Sequence, residues 1–172
     1  MTQQVSVPEW ALAIVSRLKA GEQLGAMIGL TDTQIKAMAA VGYNLYQQGK
    51  LKEAETMFKG VTASDTNAYY GFAGVGAVAL AMKPPDLETA FTYLNRAAEL
   101  KPDDATIQAN LGEVLLRQGK VEEAKTHLEQ AFQLDPAQKD PGANRARAII
   151  SGLDVLLKEA ARRNEGEIAK AS

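Results

Sequence analysis

Apolar residues recur at helical spacing near both ends of the chain. Trp10, Ile14 and Leu18 fall on one helical face behind Pro8, which suits a first turn, and Leu24, Met27 and Ile28 follow after Gly21. Near the other end Ile149, Leu153, Leu156, Leu157 and Ala160 repeat at the same spacing, while Arg145, Arg147, Lys158, Arg162 and Arg163 take much of the opposite surface. The pattern predicts an N-terminal helical segment at 8–30 and a lone helix at 143–163. Residues 164–172 turn small and polar, so this tail is expected to fray.

The stretch between these segments repeats itself. Gln48-Gly49-Lys50-Leu51-Lys52-Glu53-Ala54 returns as Gln118-Gly119-Lys120-Val121-Glu122-Glu123-Ala124, 70 residues later. That interval is two units of about 34 residues plus a short insertion, and about 34 is the tetratricopeptide period. The pattern places an L-G pair on a first helix, an A-x3-F pair on a second, and a proline after it. Leu111-Gly112, Leu115, Ala124, Leu128, Ala131 and Pro136 fill these slots in the third copy. Val41-Gly42, Leu45, Ala54, Phe58 and Val61 fill them in the first, where Thr66 replaces the proline. The middle copy offers Phe72, Val75-Gly76, Ala79, Ala90, Leu94, Ala97 and Pro102, with the insertion at Lys83-Pro84-Pro85-Asp86.

An all-α tetratricopeptide-repeat solenoid follows, a single domain of three helix-turn-helix units at 33–68, 69–104 and 105–138 between the N-terminal segment and a C-terminal capping helix. Gly42, Gly76 and Gly112 let paired helices approach, and Ala54, Ala90 and Ala124 leave complementary space. Thr31 to Gln34 resembles a capping box, Asp86 and either Asp103 or Asp104 suit N-caps, and Gly49 and Gly119 end first helices.

Composition narrows the chemistry. The 172 residues are 46% hydrophobic and 23% charged, with 19 Lys plus Arg against 21 Asp plus Glu. A net charge of −2 offers no field for a nucleic-acid backbone or an anionic membrane, so neither is an expected partner. With no cysteine and one histidine, disulfides, thiolate nucleophiles and multi-histidine metal centres are excluded. No catalytic residue, metal ligand or cofactor is expected. His127 reads as an ordinary surface histidine. The N-terminus lacks a basic region ahead of an apolar run, and the best candidate for a membrane span, residues 68–82, is short and contains three glycines, so a cytoplasmic protein is expected.

In stacked helical hairpins the first helix of each pair lines the concave side. Counting along the repeats puts Lys36, Ala39, Tyr43 and Tyr46, then Tyr70, Ala73, Ala77 and Leu80, then Thr106, Ala109, Glu113 and Leu116 on that side. Small alanines between tyrosines and leucines make shallow pockets suited to an extended or polyproline-type peptide with Pro and Leu anchors. The same tyrosines could instead pack beneath an N-terminal helix folded across the groove. Trp10, Ile14 and Leu18 form either a cap or a self-association surface.

Three stretches carry a more specific likeness. Gly42-Tyr43-Asn44-Leu45-Tyr46-Gln47-Gln48-Gly49-Lys50, Ala68-Tyr69-Tyr70-Gly71-Phe72-Ala73-Gly74-Val75-Gly76 and Glu113-Val114-Leu115-Leu116-Arg117-Gln118-Gly119 resemble, in this order, motifs of the class II chaperones of bacterial type III secretion. The resemblance implies a bacterial cytoplasmic chaperone that binds an extended Pro- and Leu-containing segment of hydrophobic translocator proteins and keeps them soluble until export. It implies Tyr43, Tyr46, Tyr70, Ala77 and Leu80 as groove walls and a homodimer through the N-terminal helix. The alternative is a scaffold that joins folded proteins in a larger assembly.

Overall fold

The computed structural model describes residues 9–171, and the side chains of all of these except 10–12, 15, 157, 160–161 and 164–171. Among the described residues the elements are α1 (Glu9–Lys19), α2 (Leu24–Met27), α3 (Asp32–Gln47), α4 (Leu51–Ser64), α5 (Tyr69–Ala81), α6 (Leu87–Leu100), α7 (Ala105–Arg117), α8 (Val121–Gln133) and α9 (Pro141–Ala171), with no strand. The pairs α3/α4, α5/α6 and α7/α8 fall on the three expected repeats. No helix among the described residues is long and apolar enough to cross a membrane.

Side chains written into the sequence set the helix boundaries. Thr31 accepts the Gln34 N–H at 3.3 Å while Gln34 Oε1 accepts the Thr31 N–H at 2.8 Å, a complete capping box for α3. Asp86 accepts from Thr89 N at 3.0 Å, and Asp104 from Ile107 N at 3.0 Å. Asp103 does not cap; it pairs with Lys101 Nζ at 2.7 Å. Helices α3 and α7 end at Gly49 (φ 74°) and Gly119 (φ 78°), where a side chain would strain the backbone. There Lys50 N and Lys120 N each reach back to Leu45 O and Leu115 O at 2.9 Å, capping carbonyls left open by the helix end.

The chain divides into two compact units, residues 1–74 and 75–172. The first holds α1–α4 and the opening turns of α5. Its core joins Ile35, Val61 and Ala68, with Leu30, Met38, Ala39 and Tyr70 packed against them. The buried Phe58 ring lies where a Cβ on Gly42 would come within 3.0 Å, and a Cβ on Gly74 would overlap it.

The second unit centres on Leu94, Leu111, Val114 and Leu115, with Leu80, Ala90 and Ala124. A Cβ on Gly76 would lie 2.5 Å from Leu94 Cγ, and one on Gly112 would lie 2.6 Å from Leu128 Cγ. The alanines expected to accept these glycines are fully buried. The side-chain atoms nearest the glycines belong to the large residue four positions after each alanine, Phe58, Leu94 or Leu128, with the Ala124 carbonyl oxygen also 3.1 Å from the Gly112 position. Helix–helix distance is therefore set by a large side chain seated on a bare backbone.

Helix α9 packs on both α7 and α8. Ala146, Ile149 and Ile150 close over Ala109, Leu128 and Ala131. Arg145 and Arg147, expected on the outer surface, instead grip the repeats. Arg147 donates to Phe132 O at 3.0 Å and to Asp135 O, neutralising the end of α8, and Arg145 bonds to Asn110 and lies 3.3 Å from Glu113 Oε2. The helix is assigned as far as Ala171.

Candidate functional site

The face predicted on the first helices is built differently in the two units. In the first, Ala39, Tyr43 and Tyr46 follow at spacings of four and three along α3 and so share one face. Tyr43 is 57% exposed, and Tyr46 is half-buried. Tyr70, at the start of α5, and Ala39 pack against the same buried cluster of Ile35, Val61 and Ala68. Burial raises the Tyr70 phenol above its ordinary pKa, with Asp65 and Asp32 adding to the effect, so its hydroxyl stays a neutral donor. The Tyr69 ring stands edge-on to it at 5.5 Å. Ala73, one helical turn after Tyr69, is half-buried.

In the second unit the predicted residues separate into walls and core. Ala77 is half-buried, and Leu116 is half-buried against the cluster that also holds Leu80. Leu80 is only 9% exposed and belongs to that core. Ala109 is completely buried among Leu128 and Ala131 of α8 and Ala146 of α9. Glu113 accepts from Arg117 at 2.7 Å and lies against Arg145, while Thr106 donates to Asp140 at 3.2 Å. Of the third-repeat positions, Thr106, Ala109 and Glu113 are thus engaged by the segment after the repeats. Sequence counting could not see this, because the docking of α9 depends on where a distant helix returns.

On α1, Leu18 is exposed and Ile14 half-buried; the side chain of Trp10 lies outside the described residues. His127 is more than a surface histidine. Its Nδ1 lies 2.8 Å from Oε1 of the buried Gln108, whose Nε2 donates to Pro102 O at 2.9 Å. Gln108 Oε1 can only accept, so Nδ1 carries the proton. Burial pushes the imidazole below its ordinary pKa, against an opposing pull from Glu123. The signal was the spacing of a polar residue on a buried helix face, where Gln108 needs a partner. Among the described residues no group of three or more His, Asp or Glu is placed to hold a metal.

Residues 81–150 match the family model described as tetratricopeptide repeat. With the all-helical pairs, their glycine seams and their caps, this match gives the chain a tetratricopeptide-like fold. The chain is similar to the low calcium response locus protein H of Yersinia pestis, at 27% identity over 120 residues and 70% of each protein. Solved structures of similar fold include translocator chaperones of type III secretion. SycD of Yersinia enterocolitica aligns with a TM-score of 0.64 at 20% identity, over 76% of this chain and 98% of that one. PcrH of Pseudomonas aeruginosa, solved with the chaperone binding region of PopB, aligns with a TM-score of 0.61 at 25% identity, over 70% and 97%.

Proposed function

We propose that this protein is a cytoplasmic bacterial chaperone for hydrophobic type III secretion translocators, holding an extended Pro- and Leu-containing segment on its first-helix face until export. The observation that carries the reading is the exposed Tyr43 beside half-buried Tyr46 on the first repeat, a large aromatic surface kept out of a core that has its own apolar residues. The relationship to PcrH, solved with translocator segments, supports the same assignment. Tyrosine gives large contact area at little side-chain entropy cost, and alanines beside it leave room for Pro and Leu anchors.

Tyr43, Tyr46, Tyr70 and Ala73 form the binding face of the first unit; Ala77 and Leu116 contribute apolar surface in the second. A few anchors of this size give an affinity near ~1 μM, about 8 kcal/mol, tight enough to shield a client and loose enough to release it. The activity is equilibrium shielding of apolar segments, which requires no bond chemistry. SycD has been crystallised in an alternative dimer, and here Trp10, Ile14 and Leu18 of α1 are the proposed self-association surface.

The test is capture of clients from bacterial cytoplasm followed by limited proteolysis of the complex, with wild-type protein and Tyr43→Asp. Because Tyr43 is exposed, the variant keeps its helical circular dichroism. A protected Pro/Leu segment lost in the variant is the expected result. Folded soluble partners held equally by both proteins would replace this reading with an assembly scaffold. Leu80→Asp is unsuitable, since it would place a charge in the core.

A further inference from the structure

Position 66 breaks the repeat rule. The second helices of repeats two and three are followed by Pro102 and Pro136, each five residues beyond a buried alanine; the equivalent position after Val61 is Thr66. Thr66 N donates to Gln23 Oε1 at 2.9 Å, its hydroxyl lies 3.1 Å from the same oxygen, and Gln23 Nε2 donates to that hydroxyl at 3.0 Å. Proline has neither the N–H nor the hydroxyl, so it could not make this pairing.

We propose that Gln23 and Thr66 form a latch fixing the N-terminal helical segment to the first repeat, and that the repeat's closing proline is replaced to provide it. Two further features fit the latch. Gly25, two residues after Gln23, is buried where a Cβ would come within 2.8 Å of Ser64 O and 3.2 Å of Ile35 Cδ1, so α2 rests directly on the end of α4. Glu22, immediately before Gln23, pairs with Arg17 of α1, and the hydrogen bond from Arg17 lowers the Glu22 carboxyl pKa. Adjacent side chains therefore grip in two directions, one holding α1 to the turn and the other holding the turn to the repeat. The latch fixes where α1 leaves the first repeat and keeps Leu18 and the 65%-exposed Ile28 presented on the surface.

The test is residue-resolved hydrogen exchange on the full chain. The amides of Met27, Ile28, Gly29 and Leu30 bond to Gln23 O, Leu24 O, Ala26 O and Gly25 O, so they report on α2 directly. Thr66→Pro restores the residue the other repeats use, and Asp65 before it already has the extended backbone that proline requires, φ −144° and ψ 111°. Thr66→Pro and Gln23→Ala are expected to speed exchange of these four amides about tenfold or more, with α3 and α4 protection unchanged and Thr66→Ser like wild type. Wild-type protection in both disrupting variants would overturn the latch. Equal loosening by Thr66→Ser and Thr66→Pro would overturn it as well. Client binding is not read in this experiment, so its outcome is independent of the chaperone assignment.

Discussion

Replacing Gly112 and Gly152 separately by alanine makes the same chemical change in two helices, and the two changes should have opposite signs. An alanine in a helix interior is worth about 0.8–1 kcal/mol over glycine. Around Gly152, on the exposed side of α9, a new Cβ meets nothing within 4 Å, so Gly152→Ala keeps that full gain. At Gly112 the new Cβ lies 2.6 Å from Leu128 Cγ, 2.9 Å from its Cδ2 and 3.1 Å from the Ala124 carbonyl oxygen. Leu128 is fully buried among Ala109, Ala131 and Ala146 and has nowhere to turn, and the carbonyl is backbone. Overpacking of this kind costs about 2–3 kcal/mol, leaving a net loss of about 1–2 kcal/mol. In a chain of this length Gly112→Ala should lower Tm by roughly 3–6 °C and Gly152→Ala should raise it by roughly 2–4 °C. Urea titration followed at 222 nm, with calorimetry, measures both. Adding Leu128→Ala to Gly112→Ala should show favourable coupling of about 1 kcal/mol, because the clashing branch is gone. If Gly112→Ala is as stable as Gly152→Ala, the seam does not set the helix separation and the packing argument fails.

Two further outcomes follow from single side chains. Asp104→Ala should cost about 1 kcal/mol by removing the α7 cap, while Asp103→Ala, which loses an exposed pair with Lys101 and a hydrogen bond from its own backbone N–H, should change stability by less than about 0.5 kcal/mol; equal losses in urea titration would reassign the cap. His127 has a folded pKa below its ordinary 6.5, so the unfolded chain takes up the proton first as pH falls; stability is complete above that value and declines as pH drops from it through the folded pKa. His127→Gln should remove this slope from the denaturation midpoints, and an unchanged slope would place the titration elsewhere.

Much of the architecture could be read from local sequence because each repeat encodes its own boundaries. Thr31 with Gln34, Asp86, Gly49 and Gly119 act on backbone groups within a few residues, and their roles follow from that spacing. The candidate site was legible only in part. Tyr43 stands at the surface and Leu116 is half-buried, whereas Leu80 and Ala109 are core residues because α9 and the second-unit packing cover them. Register gives the direction a side chain leaves its helix; it does not say what arrives from elsewhere to meet it.

By itself the sequence determined the all-helical class, the three repeats, the caps and the close-packing glycines, because these depend on contacts a few residues or one repeat apart. Only the tertiary structure decided that Arg145 and Arg147 bind the repeats, that Gln108 fixes the His127 tautomer, and that Thr66 receives Gln23 from 43 residues away. The physical reason is the same in each case. A polar side chain on an exposed face and one aimed at a distant backbone group have the same local pattern, and the returning chain alone tells them apart.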